Sequence, residues 1–131
     1  MKNIDIILDF LKIKNHYTYS HSIQVSFVSK LIARELNFKI KDIQNIKKAG
    51  LLHDIGKVYI PNDILLKPTK LTKIEMELVK AHPKNGYELL KKYDFNNFIL
   101  DYVLQHHERL DGSGYPLGLD NETIKPGSKI I

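Results

Sequence analysis

Residues 40–57, IKDIQNIKKAGLLHDIGK, set the fold of this chain and carry its most reactive side chains. Four residues of this stretch share one helical face at spacings of 3, 4 and 3, namely Ile43, Ile46, Gly50 and His53. The spacing predicts an amphipathic helix over residues 40–55, with Gly56 as its C-terminal stop. The inward face of this helix ends in the adjacent pair His53 and Asp54.

The same periodicity predicts further helices and no strand. Apolar residues recur at helical spacing in five other segments: 3–14, 18–35, the segment after Thr72, the segment from Pro83 to about Lys92, and 97–107. Thr72 and Glu75 form a capping box at the start of the third of these. The linker 58–70 and the region after His107 are rich in turn-forming residues. We therefore predict an all-α fold in a single domain over residues 1–131.

Composition narrows the classes of function. With 131 residues, 43% of them hydrophobic, the chain suits one compact domain. It carries 20 Lys and Arg against 15 Asp and Glu, and the net charge of +5 is compatible with a phosphate-bearing ligand. Basic residues form no long run and are not interleaved with aromatic ones, which argues against a nucleic-acid polymer as partner. The chain has no membrane-length apolar stretch, and its lack of cysteine excludes thiolate metal sites and agrees with a cytoplasmic location.

Five of the six histidines are predicted to project inward from the core faces of their helices. These five are His21, His53, His82, His106 and His107. His21, for example, continues the stripe of Val25 and Val28. A single inward histidine is more often a hydrogen-bonded core residue, but five together would leave several polar groups unmet without a shared partner. His16 is expected to lie exposed on a turn before the second helix.

Asp54 suggests how these side chains are used. A carboxylate can bridge two cations, and five histidines with one aspartate exceed what one tetrahedral ion takes, so we predict two ions that share Asp54. Nitrogen and oxygen ligands suit iron, manganese, zinc or nickel. A pair of such ions supports phosphoryl displacement. Lys57, one turn beyond Asp54, would contact a phosphate oxygen; the alternative is an ordinary surface lysine at the end of its helix.

A series of short motifs runs along the chain in a fixed order. The motifs are Tyr17-Thr18-x-x-His21-Ser22, His53-Asp54-Ile55-Gly56-Lys57, Ile60-Pro61, Lys67-Pro68, His82-Pro83, His106-His107-Glu108-Arg109 and Asp111-Gly112-Ser113-Gly114-Tyr115-Pro116. This series resembles the HD superfamily of metal-dependent phosphohydrolases and, within it, the HD-GYP subfamily. The His-Asp pair alone would be a weak signal, whereas the ordered series is specific and covers nearly all of the chain from Tyr17 onward.

The resemblance implies an HD-domain helical bundle with a Gly-Tyr-Pro loop after the last helix. It also implies a bacterial signalling enzyme that hydrolyses cyclic di-GMP to pGpG and, in some members, on to GMP. Two divalent ions are implied, with iron or manganese expected first and zinc or nickel as alternatives. Their implied ligands are His21, His53 and Asp54 for one ion and His82, His106 and His107 for the other, with Asp54 bridging.

The resemblance further assigns roles in catalysis and substrate binding. Asp54 and Lys57 are the implied catalytic residues, with a hydroxide between the two ions as the nucleophile. Lys57 would contact the scissile phosphate or help to protonate the leaving oxygen. The implied substrate cleft is lined by Lys57 and by the loop residues Arg109, Gly112, Gly114, Tyr115 and Pro116. On spacing alone this loop is only a glycine-rich turn; the resemblance makes it a substrate wall and a docking surface for protein partners.

Two departures from the family pattern shape the expectation. Tyr17 stands where some members carry a glutamate that binds a third ion, which favours two ions here. The sequence reaches Ile131 before the helix in which the family carries a Val-Ala-Asp motif, so we expect a domain that lacks the usual C-terminal helices.

The alternative function is therefore an impaired or inactive module that acts by binding metal, nucleotide or protein. Another HD-type nucleotide phosphohydrolase or an HD-fold oxygenase fits the Gly-Tyr-Pro loop less well. Uncovered apolar faces would favour a homodimer.

Overall fold

The computed structural model describes residues 4–131, all of which lie in helices, turns or loops. Seven α-helices and two short 3-10 helices follow one another in these residues. The α-helices are α1 (Ile4–Lys14), α2 (His16–Glu35), α3 (Ile40–Leu52), α4 (Asn62–Leu65), α5 (Lys73–Lys80), α6 (His82–Lys92) and α7 (Asn97–Gln105). The 3-10 helices are Ile55–Tyr59 and Pro126–Lys129. The predicted all-α class is confirmed; within residues 4–131 only an isolated bridge between Asp111 and Asp120 has β character. Residue 3 of the predicted first helix lies outside the described residues.

Side-chain caps fix where the helices begin. The predicted capping box is present, because Thr72 Oγ1 accepts a hydrogen bond from the Glu75 amide and Glu75 Oε2 accepts one from the Thr72 amide. Asn15 Oδ1 accepts from the Thr18 amide at 3.0 Å, so α2 begins two residues earlier than predicted. His16 is therefore the first residue of α2 and not part of a turn, although it is exposed as expected.

The core lies where α3 and α7 meet α1, α6 and the first 3-10 helix. Its fully buried large side chains include Leu11, Ile46, Leu52, Leu90 and Val103. Each such side chain contributes roughly 1.5–3 kcal/mol to folding by leaving water. The inward faces predicted for α3 and α7 are confirmed, and these two helices carry His53 and His106 at their C-terminal ends.

The predicted inward face of α2 is wrong. Val28 and Ile32 are 50% and 40% exposed, whereas the buried side of the helix is made of small residues: Thr18, Ser22, Ser26, Ser29 and Ala33. Small residues are needed there because α2 packs closely on α3: a Cβ atom on Gly50 would lie 3.1 Å from Ser26 Cα. Ser26 Oγ also donates to the Lys47 carbonyl at 2.8 Å, which satisfies its polar atom in the interface. His21 therefore lies on the exposed side of α2.

Gly56 does not end α3 as predicted. The helix ends at Leu52, and Gly56 lies inside the following 3-10 helix. It is not among the glycines with a positive φ. Its role is to allow close contact with α6, since an added Cβ atom would lie 1.9 Å from the His82 carbonyl oxygen. This contact brings the His53-Asp54 segment against His82.

The linker and the C-terminal region are more ordered than the turn-rich sequence indicated. The predicted linker contains α4, and α7 ends two residues before His107. The second 3-10 helix is held to α7 by Gln105, whose Oε1 accepts from the Lys125 amide at 2.8 Å and from Ser128 Oγ at 3.1 Å. In residues 4–131 no helix combines the length and the apolar character that a membrane span requires.

A candidate metal centre at three helix ends

The predicted ligands meet around Asp54, whose residue surface is only 2% exposed. Two groups of side chains each offer ligand atoms that lie within 4.8 Å of one another, and both groups contain Asp54. One group is His21, His53 and Asp54, and the other is Asp54, His82, His106 and His107. All six residues selected from the sequence are thus brought to one place, and Asp54 belongs to both groups.

Three of the imidazoles are oriented by the same local hydrogen bond. The Nδ1 atoms of His53, His82 and His106 lie 2.7, 2.7 and 2.6 Å from the carbonyl oxygens three residues earlier, which belong to Gly50, Val79 and Val103. A carbonyl only accepts, so each Nδ1 carries the proton and donates it. In a neutral ring this leaves the lone pair on Nε2, the atom turned toward the centre. Such backbone partners fix both the tautomer and the orientation of a metal-binding histidine.

The inward-facing atoms are nearly all acceptors. His82 Nε2 lies 3.1 Å from Asp54 Oδ1 and 3.1 Å from His106 Nε2. Asp54 Oδ1 is buried and accepts no hydrogen bond. With the ring protons on Nδ1, the lone pairs of His82 Nε2, His106 Nε2 and Asp54 Oδ1 face one another and repel. A buried carboxylate oxygen without a hydrogen-bond partner also costs free energy. A cation among them removes both problems, so this ligand set fits a metal ion.

The two remaining histidines lie at the rim of the centre. His21 is exposed on α2, but its ring is 5.3 Å from the ring of His53 between centroids. The prediction that His21 projects into the core is therefore wrong, although its ring does lie beside that of His53. His107 is half-buried and stacks on Tyr115, with ring centroids 4.8 Å apart and planes inclined by 15°. The rim position leaves both rings near solvent, where a ligand can reach them.

The protonation states favour metal binding at neutral pH. Burial lowers the pKa of His107 to about 4, helped by the nearby His82. Burial, reinforced by neighbouring imidazoles, also holds the pKa of His106 well below its ordinary value and lowers that of His21. Burial alone would raise the pKa of Asp54, but the Lys57 ammonium, 2.8 Å from Oδ2, helps to keep it below its usual range. A cation therefore meets an ionised carboxylate beside three imidazoles, those of His21, His106 and His107, whose lowered pKa favours the neutral, metal-binding form.

We expect the metal-free protein to lose stability as the pH falls from about 6.5 to about 4. The folded-state pKa of His107 is depressed to about 4 from an ordinary 6.5, so the unfolded state binds more protons in that window. Its contribution is complete above pH 6.5 and disappears as the pH falls through the folded-state pKa. Asp54, whose ordinary pKa is 3.8 and whose folded-state pKa is lower, adds to the slope only in the most acidic part of this window, below about pH 5. Urea unfolding at a series of pH values in the presence of a chelator measures the effect.

Two histidine variants make this measurement specific. His107→Gln should reduce the dependence on pH, whereas His16→Gln, at an exposed position, should leave it unchanged. A free energy of unfolding that stays constant between pH 7 and pH 4.5 would contradict the assignment of neutral buried imidazoles.

Lys57 lies beside the shared carboxylate. Its Nζ donates to Asp54 Oδ2 at 2.8 Å, and its side chain is 24% exposed. The ammonium is thus fixed at the edge of the centre and open to solvent on one side. This position is compatible with a phosphate contact and differs from that of a free surface lysine.

The Gly-Tyr-Pro loop is folded back onto the end of α7. Glu108, to which the sequence reasoning gave no role, accepts from the amides of Leu117 and Leu119 at 2.6 and 2.8 Å. Gly114 approaches the backbone so closely that a Cβ atom would lie 2.4 Å from the Arg109 amide nitrogen. The Tyr115 amide donates to the His107 carbonyl at 3.2 Å, and the Tyr115–Pro116 peptide bond is cis. These contacts place the phenol ring of Tyr115 against His107.

Two open cavities adjoin the second half of the centre. One, of about 480 Å³, is lined by residues that include His106, Arg109, Asp111 and Ile131. The other, of about 430 Å³, is lined by Lys80, His106, His107, Glu108, Arg109, Ser113, Gly114 and Tyr115.

The loop residues predicted to bind substrate fall into two groups, those that line one of these cavities and those that line neither. Arg109, Gly114 and Tyr115 reach this surface, whereas Gly112 and Pro116 line neither cavity. Gly112 instead has a φ of +77°, a conformation that favours glycine, so its role is to turn the loop. Lys80 was missed by the sequence reasoning, although its place two residues before His82 was a usable signal.

A helical bundle that brings three histidines onto a buried aspartate, with two more at its rim, defines a metal-centred α-helical domain. Residues 5–131 match the sequence profile of the HD domain. Because the match covers nearly the whole chain, the chain belongs to the HD domain family, and the resemblance read from the motifs is confirmed.

Similar proteins agree with this assignment. The chain is 45% identical over 115 residues to a cyclic di-GMP phosphodiesterase of Pseudomonas aeruginosa, which covers 87% of this chain and 28% of the relative. It superposes on Bd1817, an HDG"Y"P protein from Bdellovibrio bacteriovorus, with a TM-score of 0.72 at 26% identity over 86% of this chain and 37% of that one. The HD domain of the L. monocytogenes phosphodiesterase PgpH, in complex with cyclic-di-AMP, gives a TM-score of 0.67 at 26% identity over 78% of this chain and 50% of that one. The chain thus spans less than a third of the length of the Pseudomonas relative.

Proposed function

We propose that this chain is the catalytic domain of a metal-dependent phosphodiesterase that hydrolyses cyclic di-GMP to pGpG, with further cleavage to GMP as the alternative end point. The observation that carries the proposal is the set of ligand atoms around Asp54, including its buried and unpartnered Oδ1, beside a cavity lined by cationic side chains. The names of the Pseudomonas relative and of the cyclic-di-AMP complex support a cyclic dinucleotide as the substrate class.

Two divalent ions are part of the proposal, with iron or manganese first and zinc or nickel as alternatives. His21, His53 and Asp54 would hold one ion, and Asp54 with His82, His106 and His107 the other. When bound, such a pair would activate a water molecule for attack on phosphorus and neutralise charge on the phosphate. The lowered pKa values of His106 and His107 support ion binding at neutral pH.

The roles of the protein side chains follow from their positions. Asp54 would set the spacing between the two halves of the centre. Lys57, held 2.8 Å from Asp54 Oδ2, would place its ammonium against the scissile phosphate or donate a proton to the departing ribose oxygen. Arg109 and Tyr115 would form the wall on which the rest of the substrate rests, with Gly112, Gly114 and Pro116 shaping the loop.

The proposal is tested by supplying cyclic di-GMP to protein loaded with manganese or ferrous iron and separating the products by chromatography. We expect two ions per chain by elemental analysis, formation of pGpG, and loss of turnover with a chelator. Protein that holds two ions but hydrolyses nothing at stoichiometric concentration would overturn the enzymatic reading in favour of a binding module. A His53→Ala, Asp54→Ala double variant with unchanged metal content would overturn the assignment of the site.

Three further elements of the proposal concern the surroundings of the enzyme. The Gly-Tyr-Pro loop would offer a docking surface for protein partners, and the lack of cysteine agrees with a cytoplasmic location. A homodimer is supported by large apolar side chains exposed on two helices, among them Phe10 and Ile13 on α1 and Phe27 and Leu31 on α2. Light scattering at micromolar concentration distinguishes the dimer from a monomer.

A further inference from the structure

Lys80 is the last residue of α5 and reaches over the Gly-Tyr-Pro loop. Its Nζ lies 5.6 Å from the centroid of the Tyr115 ring, and the other neighbour of that ring is the stacked imidazole of His107. The Tyr115 ring thus contacts both the ammonium of Lys80 and a candidate metal ligand. A cation over an aromatic ring is held in place by the electrons of that ring. Lys80 is therefore positioned toward the centre, and its side chain is still 42% exposed.

The cavity of about 430 Å³ beside this stack has a cationic wall. Lys80 and Arg109 line it together with the two adjacent histidines. The only acidic lining residue, Glu108, is occupied by two loop amides. Lys80 forms an ion pair with Glu77 at 3.6 Å, and the Glu77 side chain is 74% exposed, so water screens that pair strongly. The charge of Lys80 is thus available to an anion in the cavity.

The proposed substrate has a second negative charge with which the Lys80 ammonium could pair. A cyclic dinucleotide carries two phosphodiesters on opposite sides of its ring, and only one of them can occupy the metal centre beside Lys57. The other lies outside that centre, and pairing its negative charge with a side chain would add to the binding of a cyclic dinucleotide. Arg109 is less well fixed for this role, because its side chain is 69% exposed and faces Asp111 at 3.7 Å. Lys80 is held by Tyr115 on the side of the cavity next to His107.

We propose that Lys80 binds the second, non-scissile phosphate of the substrate and thereby makes the site selective for cyclic dinucleotides over simple phosphodiesters. The inference rests on the proposed function and assigns the second anchor of that same site. Lys80 is then a specificity-determining residue, whereas the reacting phosphate is held at Asp54 and Lys57.

The test compares a substrate with two phosphates and a substrate with one. Lys80→Met keeps the apolar stem and removes the charge. For cyclic di-GMP we expect kcat/KM to fall roughly 10–100-fold, mainly through KM, as for the loss of a hydrogen bond to a charged group. For bis(p-nitrophenyl) phosphate the loss should be at least about tenfold smaller. Lys80→Arg should restore most of the activity on cyclic di-GMP, and Lys84→Met, at an exposed lysine on α6, serves as the matched control.

The outcomes separate this inference from the proposed function. Equal losses on both substrates would mean that Lys80 acts through Tyr115 and His107, and would overturn the phosphate assignment. No loss on either substrate would overturn it as well. If the unaltered protein turns over neither substrate, the proposed enzymatic function fails, and calorimetric binding of cyclic di-GMP decides the inference. Weaker binding by the Lys80→Met variant would then support it, whereas unchanged binding, or no binding by the unaltered protein, would overturn it.

Discussion

Asp54→Asn should reduce turnover of cyclic di-GMP by on the order of 10³-fold or more and lower the number of ions held per chain. The substitution keeps the shape of the side chain and removes the single negative charge that both candidate ligand groups share. An amide oxygen is a weaker ligand than a carboxylate, and its NH₂ group would face His82 Nε2, which lies 3.1 Å from Asp54 Oδ1. Product chromatography measures the turnover of the purified variant, and elemental analysis measures the number of ions held per chain.

A matched aspartate makes the result interpretable. Asp63→Asn changes an exposed aspartate on α4 in the same way and should alter neither turnover nor metal content. Circular dichroism should show that both variants retain the helical fold. An Asp54→Asn protein that binds two ions and turns over at the original rate would contradict the central place given to this carboxylate.

Gly56→Ala should destabilise the fold by about 3 kcal/mol or more. The added Cβ atom would lie 1.9 Å from the His82 carbonyl oxygen and 2.6 Å from the Gly86 amide nitrogen, and both are backbone atoms that cannot turn aside. The first 3-10 helix and α6 would have to separate, which would also displace the His82 ring from Asp54. Urea unfolding followed by circular dichroism measures the loss.

Gly112→Ala is the appropriate comparison for this prediction. At Gly112 an added Cβ atom would meet only the Gly118 carbonyl oxygen, at 3.6 Å, so the cost arises from the φ of +77° alone. That cost is about 1–2 kcal/mol. A Gly56→Ala protein that is as stable as the Gly112→Ala protein would show that the contact between the 3-10 helix and α6 can relax.

The sequence predicted those parts of the site that depend on apolar periodicity. His53 and His106 continue stripes of isoleucine and valine, so the inward faces of their helices followed from spacing. On α2 the same reasoning selected Val25 and Val28, because serine does not register as a core residue. The close contact at Gly50 needs small residues, and this depends on a neighbouring helix that the local sequence does not reveal.

Other features depend on contacts between distant segments. Gly56 resembles a helix stop in the sequence, but its role depends on a carbonyl 26 positions away at His82. Glu108 holds a loop through amides at Leu117 and Leu119, and Lys80 reaches Tyr115 across the fold. No local pattern encodes these distances, although the motif order did place the five histidines and Asp54 in one set.

The hydrogen bonds from three histidines to carbonyls three residues earlier have a further electrostatic consequence. They place the ligand rings where α3, α5 and α7 stop, at Leu52, Lys80 and Gln105. Aligned peptide dipoles give the C-terminal end of a helix a partial negative charge; the ends of α3 and α7 converge on one ionised carboxylate, whereas the end of α5 is offset at His82 by the N-terminal end of α6. The backbone itself thus attracts cations to this point before any side-chain ligand is counted. A bound ion would hold three helix ends together, so its removal should loosen them as one cooperative unit, which amide hydrogen exchange can follow.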